Sequence, residues 1–241
     1  MSAGASGTRQ RALVSDELPR EVGAGPARSP LAQLLHALNQ PLTGLQCSLE
    51  VTLASPRTND QYVKNLRDGL ALTERMRTLV EAVREMVEIG ETQIAAPGIS
   101  DGKIAWGAEL WGLLREVSEE LKPVADAEQV NIEVNIPDTF PAALSAAEAR
   151  RSNVAQGIFR LLESALALAS RGTLLRIDPL PGANDGGFCV QWETAGEETR
   201  SALSRPEIGL LMAQAQLERS GAAWERQTAG RGERVSVRLN K

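Results

Sequence analysis

The stretch Leu34-Leu35-His36-Ala37-Leu38-Asn39-Gln40-Pro41-Leu42 carries the only histidine of this 241-residue chain. It lies in a run whose leucines, Leu31, Leu35, Leu38, Leu42, Leu45 and Leu49, recur at alternating spacings of three and four. That period gathers them into one stripe of a helix, the seam along which helices pack in a bundle. Ser29-Pro30 supplies the start: a hydroxyl that accepts from a free backbone N–H, then a proline whose missing N–H costs nothing at the first helical position. Pro41 falls inside the run and is expected to bend the helix, because it removes one backbone bond and crowds the preceding turn. His36 flanks the seam, and Gln40, Thr43 and Cys47 continue that flank at helical spacing. A side chain so placed is partly exposed while its helix is anchored. An imidazole there is a candidate phosphoryl acceptor, because its ordinary pKa of about 6.5 makes it both a nucleophile and a leaving group near neutrality. The plainer reading is a histidine without a role on the flank of an amphipathic helix.

Outward from this run, Ser55-Pro56 ends the helix and a second begins near Asn59-Asp60. It carries Val63, Leu66, Leu70, Thr73, Met76, Val80, Val83 and Val87, and is expected to stop at Gly90. Two amphipathic helices joined by a short turn make a hairpin with a broad apolar face. Pairing two hairpins into a four-helix bundle buries that face, so a homodimer is expected. The alternative cover is the chain's own C-terminal half. Residues 1–28, rich in Gly, Ala, Ser, Arg and Glu without periodicity, read as a disordered or loosely attached tail. Residues 91–105, with Pro97, Gly98 and Gly102, read as a linker between the hairpin (29–90) and a second domain (106–241).

In that second domain, Leu110, Leu113, Leu114, Val117, Leu121 and Val124 mark a helix perturbed near Pro123. Val130, Ile132, Val134 and Ile136 alternate with polar residues, the pattern of a half-buried strand ended by Pro137. A helix over 146–169 follows, then strands over 173–178 and 187–193 around a turn-rich 181–186. A helix over 206–219 and strands over 223–227 and 234–239 complete the chain. The fold class is therefore α plus α/β: a helical hairpin followed by helices over one mixed sheet, an α/β sandwich.

Composition narrows the function. A net charge of -5 gives no basic face for nucleic acid. Aromatics make up only 3% of the chain, so the core is aliphatic. Cys47 and Cys189 are too few and too far apart for a metal site or disulfide framework, and read as small buried hydrophobes in a reducing compartment. No apolar run approaches the roughly 20 residues of a membrane span, and no signal-peptide segment is visible, so a cytoplasmic location without membrane insertion is expected.

The run around His36 resembles the H-box of two-component histidine kinases, in the variant reading His-Glu-Leu-Asn-Gln-Pro-Leu. Six of seven positions match, and Ala37 replaces the acid. The element order of 106–241 resembles the ATP-binding domain of the same family, so the resemblance covers about 30–241. It implies that His36 is the phosphoacceptor; Gln40, one turn on, is a candidate to position the phosphoryl group or a water, and its plainer reading is a solvated residue of the helix surface. To Asn39 the resemblance gives at most a backbone-satisfying role near Pro41.

The resemblance also implies three nucleotide motifs, and each is degenerate. At the Asn-rich helix the chain reads Arg160-Leu161-Leu162-Glu163-Ser164-Ala165, with Arg160 and Ser164 in place of the asparagines that hold magnesium. At the adenine-binding Asp-x-Gly-x-Gly, Thr194 replaces the Asp and only Gly196 survives, followed by Glu197 and Glu198. At the glycine-rich helix start only Gly209 remains, weak evidence for phosphate binding and more simply a cap. Ala37 can neither orient nor deprotonate the imidazole. Autophosphorylation from ATP is accordingly not expected, and no cofactor is assigned. The combination looks like the kinase-derived histidine phosphotransfer proteins, which exchange phosphoryl groups with response-regulator receiver domains. The receiver supplies the aspartate and the magnesium, and an upstream kinase feeds the relay. A divergent but active sensor kinase and a non-enzymatic dimeric scaffold are the two rivals.

Overall fold

The computed structural model describes residues 29–94, 107–135, 148–180, 186–194 and 203–239. The expectations for the tail 1–28, for residues 95–105 of the linker, for Ile136-Pro137 and for Gly196 to Glu198 lie outside them.

Helix α1 (Pro30–Ala54) starts as its sequence dictates, with the Ser29 hydroxyl accepting from the Ala32 N–H at 3.3 Å. It runs unbroken through Pro41. Helix α2 (Asn59–Ile94) is opened by a reciprocal cap: the Thr58 N–H donates to Gln61 Oε1 at 3.1 Å and the Gln61 N–H donates to Thr58 Oγ1 at 3.4 Å. It extends four residues past Gly90, since a lone glycine weakens a helix without ending it. The two helices form the expected hairpin.

The second unit begins with α3 (Gly107–Glu120), broken at Leu121 from α4 (Lys122–Glu128), whose first turn holds Pro123. Five strands follow: β1 (Asn131–Val134), β2 (Leu174–Pro179), β3 (Gly187–Glu193), β4 (Ala222–Ala229) and β5 (Gly232–Leu239). Their order is β1-β2-β3-β5-β4, with β1 parallel to β2 and every other pair antiparallel. The parallel pair needs a crossover, and α5 (Glu148–Leu168) provides it. Helix α6 (Arg205–Arg219) lies beside α5. Alternating strand residues (Leu175, Ile177, Phe188, Val190, Trp192, Val235 and Val237) face the helices and form the main core with Leu114, Ile158, Leu161 and Leu162.

A smaller apolar cluster joins the two units. Leu34 and Ala37 of α1 and Leu79, Ala82 and Met86 of α2 pack against Ile208, Leu211, Met212 and Ala215 of α6. The single leucine stripe expected on α1 is thus divided between two faces. Leu34, Ala37 and Pro41 are buried, with Leu31, Leu38 and Leu45 partly so. Leu35, Leu42 and Leu49 are about half exposed, at 46%, 52% and 52%. The alternative cover foreseen for the hairpin is the one observed: the C-terminal half takes one face and leaves the other exposed. Of the cysteines, Cys189 is buried as expected, whereas Cys47 is exposed, because the flank it shares with His36 turns away from α6. No helix among the described residues is long and apolar enough to cross a membrane.

Candidate functional site

His36 stands exposed in the middle of α1. Among the described residues, no side chain or backbone group is hydrogen-bonded or ion-paired to its ring. Asn39, Gln40 and Thr43 share the exposure, and the Thr43 hydroxyl donates to the Asn39 carbonyl at 2.9 Å, a bond within the helix turn around Pro41. Gln40, one turn beyond His36, is one of the amides that helical spacing places beside it, with Asn39 three residues on. The ring thus stands exposed on a helix capped by Ser29.

Ala37, its neighbour in sequence, is only 4% exposed and belongs to the cluster beneath α6. A carboxylate at that position would enter the apolar cluster that also holds Leu34, Leu79, Met86 and Ile208, and such a charge is strongly disfavoured without a partner. The residue that reads in sequence as a missing base therefore has a packing reason of its own. Polar ties flank the same contact. Arg160 of α5 pairs with Glu85 of α2, Arg219 Nη1 donates to the Met86 carbonyl at 2.8 Å, and Arg75 Nη2 reaches the Leu203 carbonyl at 3.4 Å.

The positions that the resemblance assigns to magnesium and nucleotide are engaged with protein neighbours. Arg160 is the partner of Glu85, as above. Ser164, only 5% exposed, sits against Gly209 so closely that a Cβ at 209 would overlap the Ser164 hydroxyl. The same helix pair closes at Gly157, where a Cβ would lie 2.7 Å from Leu217 Cγ. Gly209 is thus a helix-packing residue inside α6, and the expectation that it acts as a cap is corrected. The cap is Ser204, whose N–H and hydroxyl both donate to Glu207 Oε2, at 2.7 and 3.1 Å. Thr194 is 8% exposed, with its N–H and hydroxyl both spent on the Arg231 carbonyl, at 2.8 and 3.2 Å. Those side chains do not fit a magnesium–nucleotide pair. Among the described residues no group of three or more His, Cys, Asp or Glu is placed to hold a metal.

Of the contact between α6 and the hairpin, the sequence named only the C-terminal half as an alternative cover, not the helix that makes it. The signal for that contact was the apolar pair Leu34 and Ala37, three apart and off the leucine stripe.

The architecture is a helical hairpin followed by an α/β sandwich. No protein-family model matches the sequence, and no curated protein matches it. Among solved structures the chain is similar to the histidine kinase AdeS of Acinetobacter baumannii, at 15% identity and a TM-score of 0.46, covering 85% of this chain and 97% of that one. It is similar to a histidine kinase of Burkholderia phymatum at 16% identity and a TM-score of 0.45, covering 88% and 95%. A third is full-length ShkA in complex with AMPPNP, at 18% identity and a TM-score of 0.45, covering 87% of this chain and 45% of that one. These are distant likenesses, and what the chain does is read from its own residues.

Proposed function

We propose that this chain is a histidine phosphotransfer protein of two-component signalling, with His36 as the phosphoacceptor. The observation that carries this reading is the contrast between an open His36 and a closed α5–α6 pair. In the proposed reaction a receiver domain presents its aspartyl phosphate and magnesium to the exposed flank of α1. The lone pair of a His36 ring nitrogen attacks phosphorus in line with the aspartyl oxygen. The N–P bond forms as the P–O bond breaks, and the aspartate leaves as a carboxylate. Reversal delivers the group to the next receiver. An acyl phosphate is already activated, so the step depends on positioning and charge neutralisation more than on a strong base, which suits Ala37. Gln40 is assigned to orienting the phosphoryl oxygens. The sandwich, tied down by Arg160, Arg219 and the α6 cluster, serves as a fixed wall beside which the receiver docks.

A homodimer completes this reading. Leu35, Leu42 and Leu49 on α1, with Val63, Leu66, Leu70, Val80 and Val87 on α2, form the exposed apolar surface that a second hairpin would bury.

A second reading is a divergent but active kinase, the description carried by the similar AdeS and Burkholderia phymatum proteins. Incubation of the purified chain with labelled ATP and magnesium, and separately with a labelled phospho-receiver, separates the two. Label from the receiver alone supports phosphotransfer, and label from ATP alone overturns it.

A further inference from the structure

The sheet face turned away from the helices carries an arrangement that phosphotransfer does not use. Register places Arg176 of β2 opposite Gln191 of β3, Gln191 opposite Arg234 of β5, and Arg234 opposite Gln227 of β4. The four side chains form one row across four strands, spaced by about 4.8 Å per strand, so the two arginines lie two strands apart with Gln191 between them. They line an open concavity of about 530 Å³, together with Leu174, Trp192, Glu193 and Glu233.

The row is rich in donors and poor in acceptors. Arg234 Nη2 reaches only the Cys189 sulfur, at 3.5 Å, and Gln191 Nε2 reaches the same sulfur at 3.7 Å. A thiol sulfur is a weak acceptor. Arg234 Nε is shielded from water and has no acceptor among the described residues. The carboxylates nearby are otherwise engaged or screened. Glu133 lies 3.6 Å from Arg176, in a pair about half exposed on both sides. Glu233, though it also lines the concavity, has a fully buried side chain paired with Arg226, and Glu225 accepts from Gln227 at 2.7 Å. Glu193 stands exposed at the rim.

The geometry points to a binding site for a small oxyanion, a carboxylate or phosphate group, held by the Arg234 guanidinium with Arg176 and Gln191 beside it. A planar guanidinium matches either group with paired N–H donors, and a concavity of this size suits a small ligand. The site is independent of the proposed role of His36.

The test is thermal unfolding of the full chain at fixed ionic strength, with chloride replaced stepwise by citrate in one series and by inorganic phosphate in another. A ligand of the native state raises the melting temperature saturably. The expected result is a saturable rise with at least one of the two anions, its midpoint weakened by about tenfold or more in Arg234→Gln; the responding series identifies the group recognised. Arg176→Gln, at a half-exposed position, is the second variant and is expected to weaken the midpoint as well. It decides the matter if Arg234→Gln does not fold. No response beyond chloride, or an unchanged response in the folded variants, overturns the proposal.

Discussion

At His36 and Ala37 two adjacent side chains do opposite things, one open to solvent and the other sealed beneath α6. Substituting His36→Gln removes the nucleophile from an exposed position. It is expected to abolish labelling by a phospho-receiver while changing stability by no more than about 0.5 kcal/mol, which labelling and urea unfolding of the same preparation check together. Ala37→Glu would restore the family's acid and is expected to fail as a repair. The introduced carboxyl would enter an apolar contact and destabilise the chain by at least about 2 kcal/mol at neutral pH. Burial raises the pKa of such a group above its unfolded value, so the folded state binds more protons between the two values. The deficit should therefore shrink as pH falls toward the ordinary glutamate range, and grow to its full size above the raised pKa. Urea midpoints measured against wild type from pH 4 to 8 would show it; a pH-independent deficit would contradict this placement of Ala37.

Between elements, the tightest contact is α5 against α6, closed by Ser164 on Gly209 and Leu217 on Gly157. Gly209→Ala is expected to cost about 1–3 kcal/mol, because the new methyl meets the Ser164 hydroxyl in a filled space. Adding Ser164→Ala should return much of that loss, since Ser164 Cβ would sit 3.4 Å from the new atom, a contact small shifts relieve. A coupling near zero in the double-mutant cycle would mean that the two helices are not held by this pair. This scale also shows what the sequence made legible. The cap at Ser29, the start near Asn59-Asp60, the alternation over Val130 to Val134 and the helix over 206–219 each mark an element locally, and those elements form. Which face of α1 meets which neighbour is not a local property. A leucine stripe announces a partner without naming it, and here Leu34 and Ala37 meet α6 while Leu35, Leu42 and Leu49 remain open. Gly209 was ambiguous for the same reason. A glycine near a helix start reads as cap or phosphate contact until the side chain opposite it is known. Cys47 was misread as buried because the identity of a residue says less about exposure than the flank it occupies.

For the whole molecule, the exposed apolar side chains of the hairpin predict self-association. Sedimentation equilibrium should give a species of twice the 25.9 kDa chain mass. Leu42→Glu combined with Leu70→Glu, at positions 52% and 70% exposed, should yield a folded monomer, because charges on the open face prevent pairing without entering either core. A wild-type chain that stays monomeric at micromolar concentration would remove the dimer from the proposal. Within one chain, the Arg160–Glu85 pair, the Arg219 bond to the Met86 carbonyl and the apolar cluster on α6 join α2 to the sandwich, as the proposed docking wall requires.

The proposed role of His36 turns most directly on where it obtains its phosphoryl group. Purified wild-type chain and the His36→Gln variant are incubated in parallel with labelled ATP plus magnesium and with a labelled phospho-receiver plus magnesium, and acid-labile label on the chain is counted. Label acquired by wild type from the receiver, absent with ATP and absent in His36→Gln, is the expected result. Acid-labile label acquired from ATP alone would contradict it and make the chain a kinase whose nucleotide site reopens between α5 and α6.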